Sequence, residues 1–508
     1  MSADRVGRRL CCAVLVVLVV GGLRSALAEP PRTPALEDLP LKESISQFGI
    51  TWTFDRPVRV GQFITGDWYI VGPVTVSAVD PEPLYDEDVP ETELDARERN
   101  RRRNTFLRNG SMLNPPPKLE MACDSGIRNW YRPNLITRFP VAMKPGDALV
   151  SSVSLKQGEQ ASFVYHSKGA RGVHDNCPLK VAAVLTCMAA PQPPDAFRPS
   201  YGDRTGKVYL ARNLRRQLLP TLSRPEGERV PDPVKFAEVF RKPWLNTGFF
   251  GFDQPMENMP HYGQWVGQAV SNAGLLLCLD FTPPEKEQLL LNFVQVGIDY
   301  WGLVRAGHPG WQGWGGHGSG RKFPIVFAGF LLGDEEMISP TKAFPKVEFG
   351  EDNQTRYGDC WTGAKVVFAG HSGISTLTGK PPRPKWGPYE HLHPSQWDKD
   401  GQKNRQSEAY RRANTSCCWV GQALVLRILK LEKQWNHDAF FDYVDRWMTE
   451  DDRQHRQEIN KHFPDPNLVN ETKVWCHQGY TGERWIKPLW LKIRPTLQPP
   501  PNGWKTAR

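Results

Sequence analysis

The sequence predicts a multidomain α+β protein: a β-sandwich-like N-terminal domain, then an α-helical domain of bundle or toroid type. Three observations predict it. Short β-branched and aromatic runs bounded by Gly, Pro and Asp occupy the first part of the chain. Apolar residues at helical spacing occupy the last part. A Pro-rich, basic passage from Pro191 to about Pro243 separates the two. At roughly 150 residues per domain, the 508 residues accommodate two or three domains with sizeable cores. Hydrophobic residues at 39% and charged residues at 23% exclude wholesale disorder, collagen and coiled coil. A mean hydropathy of −0.50 excludes a polytopic membrane protein.

Taken in order, Arg5, Arg8 and Arg9 precede an apolar run from Leu10 to Gly22 and then Ser25-Ala26-Leu27-Ala28. That is the order of a secretory signal, with cleavage expected near Ala28, and the run is short for a membrane span. The expected product is exported, periplasmic or extracellular, with no stable membrane span. Removing four arginines and one aspartate takes the formal charge from +9 to +6. Eight cysteines remain: Cys123, Cys177, Cys187, Cys278, Cys360, Cys417, Cys418 and Cys476. An even number permits disulfides in an exported chain. Cys278 sits in an apolar helical run and reads as a free core thiol.

Residues 29–40 are a Pro-rich linker. Residues 41–195 form the β-rich domain, with strands over 50–54, 68–71, 74–76, 148–155, 161–165 and 179–187. An acidic then Arg-rich stretch, 86–104, reads as a surface insertion. Residues 196–245 are the connector and 246–490 the helical, catalytic-type domain; 491–508 form a tail. Helices are expected over 265–280, 285–304, 323–332, 406–431 and 438–448. Thr282 caps the second of these, with Pro283, Pro284 and Glu285 in its first turn.

Three loop segments of the helical half carry candidate chemistry. Asn258, His261 and Tyr262 stand at the start of the first helix, where Asn258 can cap it and the three share a face. Amide, imidazole and phenol together suit acid/base work. The second segment, Gly307 to Lys322, has seven glycines, so a ligand can approach its backbone closely. Within it Trp311 and Trp314 offer stacking planes, His317 a proton-transfer group and Arg321 a carboxylate clamp. Its Gly320-Arg321-Lys322 lacks the Gly-Lys-Ser/Thr of a phosphate loop. In the third, Tyr410 and Asn414 lie four apart with Gly421 on the same stripe, and Arg411 or Arg412 can meet an anion. Each segment also has a plainer reading: a helix cap, a flexible connector, a face of solvated arginines. Trp361 joins Trp311 and Trp314 as a loop tryptophan on a chain carrying 18. His391 and His393, with Asp398 or Asp359, are a candidate metal-ligand set.

A signal peptide followed by helices whose loops carry Asn, His, Tyr and Arg resembles secreted polysaccharide lyases of the α/α-toroid and β-sandwich type. These are the heparinase, chondroitin and alginate lyase groups, and the likeness covers roughly residues 246–490. It implies an α/α toroid and β-elimination on a uronate-containing polymer, with no cofactor and no metal. In that chemistry Asn258, His261, His317, Arg321 or Arg411 neutralises the uronate carboxylate. Tyr262 or Tyr410, its pKa lowered by nearby cations, moves the proton. Trp311, Trp314, Trp361, Arg411 and Asn414 bind an acidic polysaccharide. Export and the acidic stretch before Arg99 argue against a nucleic-acid partner.

Two other readings stand beside this one. An inverting glycoside hydrolase on the same toroid needs two carboxylates about 6.5–9.5 Å apart. Asp253 with Glu257, and Glu351 with Asp352 or Asp359, are its candidates. A non-catalytic, exported polysaccharide- or cell-wall-binding protein shares the Trp surplus and the basic charge.

Overall fold

The computed structural model describes residues 31–85, 107–117, 133–154, 179–245, 255–260, 262–370, 389–397, 408, 410–499 and 502–505. The expected signal segment, the insertion at 86–104 and the strand at 161–165 lie outside the described residues. From Arg32 to Arg508 the chain is one compact unit of mixed α+β structure built around a curled sheet. No helix among the described residues is long and apolar enough to cross a membrane.

Eight strands make the sheet: β1 (Leu41–Gln47), β2 (Ile50–Gln62), β3 (Trp68–Val71), β4 (Val74–Asp80), β5 (Ser111–Leu113), β6 (Val141–Met143), β7 (Ala148–Ser154) and β8 (Leu179–Met188). The order is β5-β7-β8-β3-β2-β4-β6, with β1 alongside β2. Phe48 and Gly49, both at positive φ, close the two-residue turn between β1 and β2. The long β2 curls the sheet. Its first residues pair with β4, its last with β3, and register shifts and Pro57 fall between.

Alternation along β8 explains its near-continuous apolar run. Ala183, Leu185 and Cys187 face the inside of the curl with Ile50, Trp52, Ile70 and Val76. Ala182 and Val184 point the other way, with Ala148 and Val150 of β7, into the core of the helices. One face of β7 and β8 therefore belongs to the helices' core, while the other closes a separate core inside the curl.

Seven helices of eight residues or more follow among the described residues: α1 (Gly263–Cys278), α2 (Pro283–Arg305), α3 (Lys322–Leu332), α4 (Ser416–Ile428), α5 (Asp438–Thr449), α6 (Arg453–His462) and α7 (Ile486–Ile493). The capping box of α2 is formed as its sequence requires: the Thr282 N–H donates to Glu285 at 2.7 Å. The periodicity read from the sequence contains neither α6 nor α7. The Arg453–His462 segment buries only Arg456 and Ile459, so almost no apolar stripe announces it. The long expected helix over 406–431 is a regular helix only from Ser416 onward.

Residues 196–245 are part of the core rather than a free connector. Tyr201, Leu214, Phe236, Phe240 and Trp244 are buried, and Trp244 stacks on Phe240 at 4.8 Å. Arg198, fully buried, ties the halves together: it donates to Asp67 at 3.0 Å and to Asp299 of α2 at 2.6 Å. Burial pushes the Asp299 carboxyl up to about 6, against the opposing pull of Arg198. Cys187, Cys278, Cys360, Cys417, Cys418 and Cys476 are free and buried, while Cys123 and Cys177 lie outside the described residues.

Candidate functional site

Three chain segments far apart in sequence meet at one partly exposed place: the start of α1, the Gly-rich loop before α3, and the turn entering α4. Tyr262, the residue before α1, is at the centre. Its hydroxyl donates to the Gly315 carbonyl at 3.1 Å and accepts from Asn414 Nδ2 at 3.0 Å. The His317 ring meets the Tyr262 ring edge-on, with centroids 4.6 Å apart. Gln264 Nε2 donates to the Ala413 carbonyl at 2.6 Å, which clamps the third segment to α1.

Local backbone chemistry makes this meeting sterically possible. A Cβ on Gly263 would lie 2.0 Å from the Gly316 carbonyl oxygen, so only glycine lets the loop lie on the helix start. Tyr410–Thr415 is a single π-helical turn. Thr415 Oγ1 donates to the Tyr410 carbonyl at 2.6 Å and Ser416 Oγ to the Arg411 carbonyl at 2.7 Å, five residues apart in each case. The wider turn carries Asn414 to Tyr262. Such turns recur at functional sites in helices.

Electrostatics changes the role of the central phenol. Burial pushes the Tyr262 hydroxyl well above the ordinary tyrosine range, and the nearby Tyr410 phenol adds to the rise. Asn414 opposes this without overcoming it. The expected lowering by neighbouring cations is therefore corrected, because the arginines are committed elsewhere. Tyr262 rests as a neutral proton donor.

The other candidates fall into place around this group. Asn258 does not cap α1, whose N-cap is Tyr262. Buried, it hydrogen-bonds the Ala182 backbone of β8 at 3.0 and 3.3 Å and the Pro243 carbonyl at 2.7 Å, a bracket between sheet and helices. His261 lies outside the described residues, as does the side chain of Trp314. Arg321 is no substrate clamp: fully buried, it donates to the carbonyls of His317 at 2.8 Å and Ser319 at 2.6 Å, shaping the loop from behind. Trp311 is core, stacked on His308 at 4.3 Å.

Arg411 and Arg412 are neither solvated nor available to an anion. Arg411 grips Glu408 with two bonds, at 3.0 and 3.1 Å, and reaches Gln478 at 3.0 Å. Arg412 pairs with Glu408 and with Asp452. Burial alone pushes the Glu408 carboxyl up, yet the two guanidiniums hold it far below the usual carboxylate range. Nor is there room above Gly421, because a Cβ there would meet Ser271 of α1 at 2.6 Å. Trp361 belongs to a different cluster, its ring 5.4 Å from that of His393 and 5.3 Å from that of His455.

Sequence reasoning missed the part played by Glu351, weighed only as a hydrolase carboxylate. It is fully buried behind the Gly-rich loop, accepts the Gly320 N–H at 2.6 Å, and leaves Oε2 without a hydrogen-bond partner. Desolvation pushes it up to about 7. No signal in the sequence separates it from its neighbour Asp352, which pairs with Lys322. The remaining hydrolase candidates are engaged too: Asp359 is exposed on Lys365 and Glu257 bonds Lys242, while Asp253 lies outside the described residues. Comparison with protein-family models, curated proteins and solved structures finds no match to this chain.

Proposed function

We propose that this is an exported carbohydrate-active protein that cleaves a uronate-containing acidic polysaccharide by β-elimination. The observation that carries the reading is the meeting of Tyr262, His317 and Asn414, three groups from three separate segments, at a partly exposed place. In the elimination a base removes the C5 proton, the C5–H electron pair becomes the C4–C5 double bond, and the C4–O bond breaks. Asn414, with a second amide N–H, stabilises the enolate-like carboxylate. His317 supplies an imidazole to take the proton. Tyr262, held neutral by burial, gives its proton to the leaving oxygen in place of Gly315. Tyr410, close enough to raise Tyr262, is the second phenol of the group.

The engagement of Glu351, Asp352, Asp359 and Glu257 in other contacts favours elimination over hydrolysis. The α/α-toroid and β-sandwich arrangement is part of the proposal. Pairwise packing of α1 on α4 and α2 on α3 supports the first, and the curled sheet with its own interior supports the second.

The test is incubation of the purified mature protein with a panel of uronate polymers. Growth of the ultraviolet absorbance of unsaturated uronates is expected with one of them. New reducing ends without that absorbance would replace the lyase by a hydrolase. Polymer retention with neither signal would leave a binding protein.

A further inference from the structure

We infer that His393, Glu458 and His462 form a binding site for a first-row divalent cation of the zinc class. The inference stands independently of the lyase reading. Glu458 and His462 lie four apart on α6, hence on one face, and His393 arrives from the 389–397 segment. The Glu458 Oε1 is 3.2 Å from His462 Nε2 and 3.7 Å from His393 Nε2. All three ligand atoms lie within 4.8 Å of one another. Zinc bonds of about 2.0–2.2 Å place tetrahedral ligand atoms about 3.3–3.5 Å apart, so the group closes on an ion with small side-chain movements.

The surroundings favour an ion over a simple pair. Glu458 Oε2 already accepts from Lys461 at 2.6 Å, leaving Oε1 to face two imidazoles at once. Both rings present Nε2 to the same oxygen. A cation between two imidazole lone pairs and one carboxylate oxygen satisfies all three. His393 Nδ1 accepts the Ser395 N–H at 3.3 Å and lies 2.9 Å from Ser395 Oγ, which fixes the ring with Nε2 towards Glu458; an ion bound there takes the place of the Nε2 proton. The Trp361 ring buttresses His393 edge-on. Each of the three residues is partly exposed, which leaves room for water as a further ligand.

The set expected from the sequence was His391 and His393 with Asp398 or Asp359: His393 instead has Glu458 and His462 of α6 beside it, Asp359 is on Lys365, and Asp398 lies outside the described residues.

The experiment is calorimetric titration of the chelator-treated full chain with zinc, alongside thermal melts. One ion per chain and a raised melting temperature are expected. His393→Ala and His462→Ala should each weaken binding by about 100-fold or more while melting like wild type without zinc. His391→Ala should bind as wild type does. Cobalt(II) replacing zinc should show visible absorption bands that both ligand variants lose. No binding by the wild-type chain would overturn the site. Binding unchanged in His393→Ala, His462→Ala and Glu458→Gln would do the same.

Discussion

Glu351 shows what burial does to a single residue. Its carboxyl titrates at about 7 in the fold against 4.5 when free, because desolvation outweighs the Gly320 N–H it accepts. Below pH 4.5 it is protonated in both states and its contribution to stability is fully present. As pH rises from there towards 7, the unfolded chain ionises first and stability falls; above 7 the loss is complete. The loss is on the order of 3 kcal/mol. Glu351→Gln should flatten it, which urea midpoints measured from roughly pH 4 to pH 8 will show. Parallel falls in both proteins would assign that dependence to another group. At Tyr262 the expected effect is on rate. Tyr262→Phe should lower kcat by about 10²–10⁴-fold while leaving the melting temperature nearly unchanged. Full activity in that variant would remove the phenol from the reaction. Residue chemistry of this kind was partly legible: the types Tyr262, His317 and Asn414 stand out in the sequence. The fates of Asn258, Arg321 and Trp311 were not, since an amide, a guanidinium and an indole look alike in sequence whether they meet substrate or backbone.

At the scale of elements, the π-helical turn at Tyr410–Thr415 and the charge network behind it act together. Arg446 grips Glu390 with two bonds of 3.1 Å and Glu450 at 2.9 Å, while Arg411 and Arg412 share Glu408. All of these side chains are almost wholly enclosed. Burying one charge is costly unless its partner is present, so the network fixes where the turn sits rather than adding much net stability. Removing one partner is a different matter. Arg446→Met should destabilise the fold by about 3 kcal/mol, because Glu450 loses its cation and Glu390 keeps only the longer, 3.5 Å contact with Arg411. Replacing Arg446 and Glu390 together by apolar residues should recover much of that, as chemical denaturation can measure. A double variant as unstable as the single one would show that shape, not charge, governs the position. The helices α1 to α5 were readable from their apolar periods, and α2 also from its capping box, because local sequence encodes them. The π turn was not, since its extra residue per turn is held by side-chain bonds and packing.

At the scale of the whole molecule, strands and helices share a core. Ala148, Val150, Ala182 and Val184 lie against the helices, and Arg198 locks Asp67 to Asp299 across the boundary. The chain should therefore melt in one transition by calorimetry. Residues 246–508 expressed alone should fail to fold, since the face covered by β7 and β8 would be open to water. Two resolved transitions would contradict this. The succession of strands then helices, the capped start of α2 and the residue types capable of proton transfer are legible along the chain, because propensity, capping and periodicity act within a few neighbours. Tertiary structure alone decided which of those residues meet. Bringing Tyr262 to Asn414, His393 to His462, and Arg411 to Glu408 rather than to solvent depends on close approaches at glycine and on desolvation. Those are properties of the packed interior, written in no local stretch of chain.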